Sequence, residues 1–195
     1  MVKGLVTTRL PALAGVFCAS VLLLAGPAVA ADCYSADQDS GELVFSGEAE
    51  GNRFEGRFRE FTVQLCLDDD DLATANIEVQ IATGSATVGN RQGDRELLGE
   101  DLFAAERFPR AFWISDEISS RGDGRYFAEG ELNLRQISAS QPVQLQLARE
   151  GDQLALSGSA EIERLEFDVG QGEFADPDFI TPVIQLNFEL VLSPE

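Results

Sequence analysis

The sequence predicts an all-β protein: an antiparallel barrel of about eight strands with one short helix, preceded by a cleaved signal peptide. Three observations carry this expectation. From Gly41 onward apolar and polar residues alternate with a period of two, and helical periodicity is scarce. Apolar parity switches near Arg59-Glu60 and again at Leu165, Phe167 and Val169, each reading as a β-bulge that bends a strand. Glycines such as Gly56 and Gly158 sit inside apolar strands. Strands of this number and spacing suit a closed barrel or a sandwich, and bulges with mid-strand glycines favour the barrel, where they turn corners.

In chain order, Leu43 and Phe45 alternate with polar neighbours up to a turn at Gly51-Asn52. Phe54, Gly56 and Phe58 share one face, and Phe61, Val63, Leu65 and Leu67 continue on the other parity. After a turn at Asp68 to Asp71, Ile77, Val79 and Ile81 form an inward face. The irregular stretch from Gly84 to Pro109 holds the helix candidate, Asp94 to Glu106, with Asp94 as its cap and Leu98 and Leu102 one turn apart. Strands resume at Ala111 to Ser115 and, past the Arg121-Gly122-Asp123-Gly124 turn, at Arg125 to Leu134. Val143 to Leu147, Leu154 to Ile162 and Ile184 to Leu192 complete the alternation. No linker, fixed-period repeat or low-complexity tract interrupts it.

Residues 1–30 read as a signal peptide. Lys3 and Arg9 make a positive start, and Leu10 to Gly26 is an apolar run broken by Pro11 and Gly15, too short for a good membrane span. Ala28-Val29-Ala30 is a small-x-small site with the cut placed after Ala30, and Cys18 follows Phe17, which does not suit lipid attachment. The expected division is thus 1–30 signal peptide, 31–40 an N-terminal segment with Cys33, and 41–195 the barrel domain. Cys33 and Cys66 survive processing, and an even count in an exported chain suggests a disulfide. Closing a loop of about 34 residues would stabilise the fold by roughly 4 kcal/mol in the chain-entropy model.

The chain has 14 basic residues, 34 acidic residues and no histidine, a net charge of −20. That balance excludes a sequence-independent nucleic-acid binder and opposes docking on an anionic membrane face. The missing histidine removes Ser-His-Asp and Cys-His nucleophile systems and the usual zinc sites. Without Lys3 and Arg9, every basic residue is arginine. A solvated acidic surface is the plain reading of the charge, and adaptation to a saline exterior the sharper one. Asp68 to Asp71 lacks the spacing and glycine of a calcium loop, so no metal is expected. Arg121-Gly122-Asp123 reads as a hairpin turn. Acid pairs suited to glycoside hydrolysis are inevitable among so many carboxylates and therefore uninformative.

Phe167-Asp-Val-Gly-Gln-Gly-Glu-Phe-Ala-Asp-Pro-Asp-Phe179 closely resembles a signature of the YceI-like polyisoprenoid-binding proteins, roughly F-G-V-G-Q-G-E-W-A-D-T-D-W. Further matches follow in the family's order. Gly56-Arg57-Phe58-Arg59-Glu60-Phe61 is similar to its G-x-F-x-x-F, and Gly93-Asp94-Arg95-Glu96-Leu97 stands where it has R-D-x-H-L. Glu100-Asp101-Leu102-Phe103 through Phe108-Pro109 follows, then Gly130 to Arg135 and Pro142-Val143. The family's arginine and histidine are Gly93 and Glu96 here, and its late tryptophan is Phe174. The resemblance implies a lipocalin-like barrel in the periplasm, or secreted, that binds an amphiphilic lipid by its polyisoprenoid or isoprenoid-quinone tail without catalysis or cofactor. Members also occur beside or fused to b-type cytochromes, which implies such a neighbour as a partner. Homodimer formation stays open, and neither nucleic acid nor stable membrane insertion is expected.

The candidate lumen lining is Phe54, Phe58, Phe61, Phe103, Phe108, Phe112, Phe127 and Phe167, with Arg91, Arg95 and Arg135 as candidate head-group contacts through bidentate hydrogen bonds. Phenylalanine brings bulk with no polar atom to satisfy, so it suits a dry lumen or a solid core equally. Two other classes remain open: a carboxylate-based hydrolase, which needs a wet acidic cleft, and a filled barrel with a structural or interaction role.

Overall fold

The computed structural model describes residues 32–68 and 71–195. The signal peptide, its cut after Ala30 and Cys18 lie outside the described residues, as does the middle of the Asp68 to Asp71 turn. The described residues form an all-β, closed antiparallel barrel with one α-helix.

β1 (Asp32–Asp37) and β2 (Gly41–Ala49) are two halves of one bent strand, and β3 (Asn52–Phe58) and β4 (Phe61–Asp68) are halves of the next. Asp37 lies opposite Thr62 and Leu43 opposite Phe58, so residues 38–42 on one side face only 59–61 on the other. This is the irregularity expected near Arg59-Glu60, and it bends the hairpin inward. The ring continues in chain order through β5 (Asp71–Ala82), β7 (Arg110–Gly122) and β8 (Arg125–Leu134). It is completed by β10 (Val143–Glu150), β11 (Gln153–Glu163) and β12 (Val183–Pro194). β12 closes it by pairing with β2 and, at Ser193 and Pro194, with β1. The N-terminal segment is therefore part of the barrel wall. Short β6 (Ala86–Thr87) adds to the edge of β3.

β9 (Ile137–Ser140) was not expected. It keeps the register of β10 on β8, with Leu134 opposite Ile137 and Ala128 opposite Val143, so the two are one strand. Pro142 has no N–H to give the ladder, which interrupts the pairing without shifting it. β7 carries a register shift between Ser115 and Glu117 that the alternation does not show.

Two local expectations are corrected. The helix α1 spans Arg91–Leu98, not Asp94 to Glu106, and its N-cap is Asn90, whose Oδ1 accepts from the Gly93 N–H at 2.9 Å. Asp94 instead accepts from the Val88 N–H and the Thr87 hydroxyl, tying the helix to β6. The turn at Gly99 ends the helix before Leu102. The second bulge is absent as well: Arg164–Phe167 is a 3-10 turn that leaves the sheet and ends at Asp168 with φ 56°.

Cys33 and Cys66 face each other across β1 and β4 and form the disulfide. At that end the barrel is solid. Leu65, Leu67, Leu72, Leu154 and Leu192 are fully buried there, Leu65 at 0 % exposure. Toward the other end the inward residues Val79, Ile81, Ile162, Ile184 and Leu186 are only half-buried, although their parity aims them at the interior. Leu65→Ala is expected to lower unfolding free energy by about 3 kcal/mol, and Leu186→Ala by less than half of that, because its side chain already borders open space. Urea unfolding of the two variants checks this, and equal losses would mean the barrel is solid throughout.

Candidate binding cavity

The open half of the barrel encloses a cavity of about 190 Å³. In the same measure roughly 10–15 Å³ holds one water, so this is not a packing defect. Every strand of the ring except β1 contributes to the wall, for example Val63, Ile77, Trp113, Leu145, Leu156 and Leu190. Among the described residues the wall presents only apolar atoms and includes no Asp or Glu. Half-buried Phe54, Leu97, Ile180 and Ile184 mark where it reaches the surface, between the β2–β3 hairpin, α1 and the segment before β12.

Aromatic packing shapes one side. The Phe45 ring lies 5.2 Å from Phe58 and 6.5 Å from both Phe54 and Phe103, and Phe58 lies 5.8 Å from Phe103, centroid to centroid. Gly56 makes room for this: a Cβ there would stand 2.2 Å from Phe45 Cζ. The mid-strand glycine is thus required by close approach.

Of the sequence-derived lining set, the structure brings Phe54, Phe58, Phe61 and Phe103 to the wall. The other four lie elsewhere. Phe108 is buried in the loop before β7, 4.9 Å from the Arg107 guanidinium and 5.4 Å from that of Arg135. Phe167, 1 % exposed, packs in the 3-10 turn. Phe112 points outward, 38 % exposed, because inward Ala111 and Trp113 flank it. Phe127 also faces outward, under the Arg121 guanidinium at 5.3 Å, since Ala128 takes the inward position.

None of the three arginines is on the wall. Arg91 and Arg95 are exposed on α1. Arg135 donates through Nη1 to the carbonyls of Glu100 and Leu102, so it holds the loop after α1.

Three polar residues do line the cavity, and each turns its polar atoms into backbone. The Thr83 hydroxyl donates to the Phe108 carbonyl at 2.5 Å. Gln141 Nε2 donates to the carbonyls of Pro142 and Glu161, both at 3.0 Å. Arg164 donates from Nε to Thr181, from Nη1 to Val169 and from Nη2 to Ile180, at 3.0, 2.9 and 2.6 Å. This one side chain fastens both ends of the segment 169–181. Gly170 permits it, since a Cβ there would lie 1.9 Å from Arg164 Nη1, and its φ of +122° suits glycine. Burial holds the Arg164 pKa below the usual arginine value. The segment 169–181 is joined to the loop after α1 by the N–H groups of Gly170 and Gln171, which donate to the Asp101 carbonyl at 2.9 and 2.8 Å.

Sequence reasoning missed Arg164, Phe45 and Trp113 as wall residues. A signal for Arg164 existed: the alternation from Leu154 through Ile162 puts position 164 on the inward parity, an unusual place for a cation.

An apolar cavity of this kind suits an apolar guest. Known proteins agree with that architecture. A UPF0312 protein of Shewanella denitrificans is 26% identical over 96 residues, 49% of this chain and 50% of that protein, so the match spans about half of that relative. The crystal structure of Burkholderia cenocepacia BcnA is 25% identical and superposes with a TM-score of 0.76, over 80% of this chain and 98% of that one. A polyisoprenoid binding domain from Saccharophagus degradans, implicated in plant cell wall breakdown, has the same fold at 13% identity and a TM-score of 0.65, over 83% and 98%. The family model of the YceI-like domain matches residues 34–192, nearly the whole described barrel, and the chain belongs to that family.

Proposed function

We propose that this protein is an exported, non-catalytic lipid carrier that holds a polyisoprenoid or isoprenoid-quinone tail in the barrel cavity. The observation that carries this is the wall: a sizeable void lined only by apolar atoms, whose polar residues all face away. Burial of a tail there gains about 25 cal/mol per Å² of apolar surface, so a long chain binds without polar help. Phe54, Phe58, Phe61 and Phe103 contact the tail, and the polar head stays at the mouth beside Leu97, Ile180 and Ile184. Export to the periplasm rests on the leader read from the sequence. Among the described residues no helix is long and apolar enough to cross a membrane.

Native mass spectrometry of protein purified from its own host, followed by solvent extraction, tests the reading. A co-purifying prenyl lipid or quinone is expected. Protein that arrives empty and takes up no prenyl lipid would sink it.

A further inference from the structure

We infer that Arg164 makes the cavity select its ligand by head-group charge, accepting amphiphiles with an anionic or uncharged carbonyl head and rejecting those with a cationic head. This rests on the binding reading above and adds the class of head group.

Arg164 is 3 % exposed and lies on the cavity wall. Its stem faces the void, and its guanidinium sits behind, bonded to the Ile180 carbonyl at the mouth. Its hydrogen-bond partners are neutral backbone carbonyls, and among the described residues no carboxylate lies within ion-pair distance of it. Glu163, Glu166 and Asp168 beside it in sequence point into solvent. The lowered pKa of Arg164 has burial as its cause, with no offsetting partner, yet a guanidinium remains charged at any ordinary pH.

An unneutralised cation set in an apolar wall is screened less than a charge on the open surface, so it acts more strongly on a neighbouring head group. A second cation at the mouth is repelled, and a carboxylate, phosphate or carbonyl oxygen is attracted. The exposed carboxylates of the surface have the opposite preference, but water and salt screen them. The protein therefore carries a buried selectivity opposed to its net surface charge.

The test uses three polyene probes with one tail: cis-parinarate, its methyl ester and the matching parinaryl ammonium. Affinities are read by polyene fluorescence in about 0.5 M NaCl, which screens the acidic surface. The carboxylate is expected to bind the wild type about tenfold or more tightly than the ammonium, with the uncharged ester between the two. Arg164→Met is expected to bring carboxylate and ammonium within about twofold, whereas Arg164→Lys, which keeps the charge but not the three-way bonding, retains most of the preference. Equal carboxylate and ammonium affinities in the wild type overturn the inference, as does an unchanged ratio in Arg164→Met, and both leave tail binding standing. If Arg164→Met does not fold, the wild-type ratio decides by itself. If no probe binds the wild type, the ester included, the binding reading falls and the inference with it.

Discussion

Ala160→Trp is expected to weaken binding of a prenyl or polyene ligand at least a hundredfold while leaving the barrel folded. Ala160 projects into the cavity from β11, opposite Leu186 of β12 in register. An indole there occupies the space a tail would fill. Losing about 110 Å² of apolar contact at about 25 cal/mol per Å² already amounts to a hundredfold in affinity. In a packed core such an enlargement destabilises by about 1–3 kcal/mol. Here the ring enters a void, so the melting temperature is expected to hold steady or rise. Phe112→Trp is the control: Phe112 is on the outer wall, and binding should not change. Fluorescence titration with circular-dichroism melting reads both variants. Intact binding in Ala160→Trp together with loss in Phe112→Trp would place the site on the outer face and remove the cavity from the account.

Removing the disulfide by the double change Cys33→Ser and Cys66→Ser is expected to cost about 4 kcal/mol, or roughly 10 °C in melting temperature. The bond joins residues 33 apart in sequence. It also sits where closure is thinnest. β1 meets β12 at only two register pairs, Tyr34 with Pro194 and Ser35 with Ser193, while the other flank of β1 pairs with β4 along its full length. The bond therefore ties the first strand to β4 on the flank opposite that thin seam. Calorimetry of the oxidised, reduced and doubly substituted protein measures the effect. A drop under about 2 °C would show that sheet pairing alone holds this seam.

Much of the architecture was legible because a half-buried strand writes its orientation into every second residue. The runs Phe61 to Leu67, Leu154 to Ile162 and Ile184 to Leu192 identified β4, β11 and β12, and the parity switch at Arg59-Glu60 located the bend between β3 and β4. Signals failed where the chain leaves the sheet. The parity change at Leu165 to Val169 looks the same in sequence whether it comes from a bulge or from a 3-10 turn. Asp94 is a good cap by residue type, but Asn90, four residues earlier, starts the helix, and the Asp94 carboxylate is held by Val88 and Thr87. β9 escaped because Pro142 reads as a boundary, although the register runs through it.

The candidate site was legible only in part. Treating phenylalanine as lining by residue type ignored its parity, and Phe112 and Phe127 follow their parity outward. Arg135 was read as a ligand contact, yet the chain reverses at that residue, with φ of 53° and 64° at Arg135 and Gln136, and its guanidinium meets the loop carbonyls of Glu100 and Leu102. The cation that reaches the cavity wall is Arg164, whose bonding partners at Val169, Ile180 and Thr181 are brought to it by a loop conformation that no local pattern encodes.

By itself the sequence determined the all-β class, the order of the strands, the bend at Arg59-Glu60 and the pairing of Cys33 with Cys66. These follow from local alternation, from turn residues and from the count of cysteines. Only the tertiary structure decided that the barrel is solid around Leu65 and Leu192 and hollow around Leu186 and Phe188. Alternation states which face a side chain takes. Whether the inward side chains fill the space depends on the volume that the closed ring of strands encloses, and that is a property of the ring as a whole.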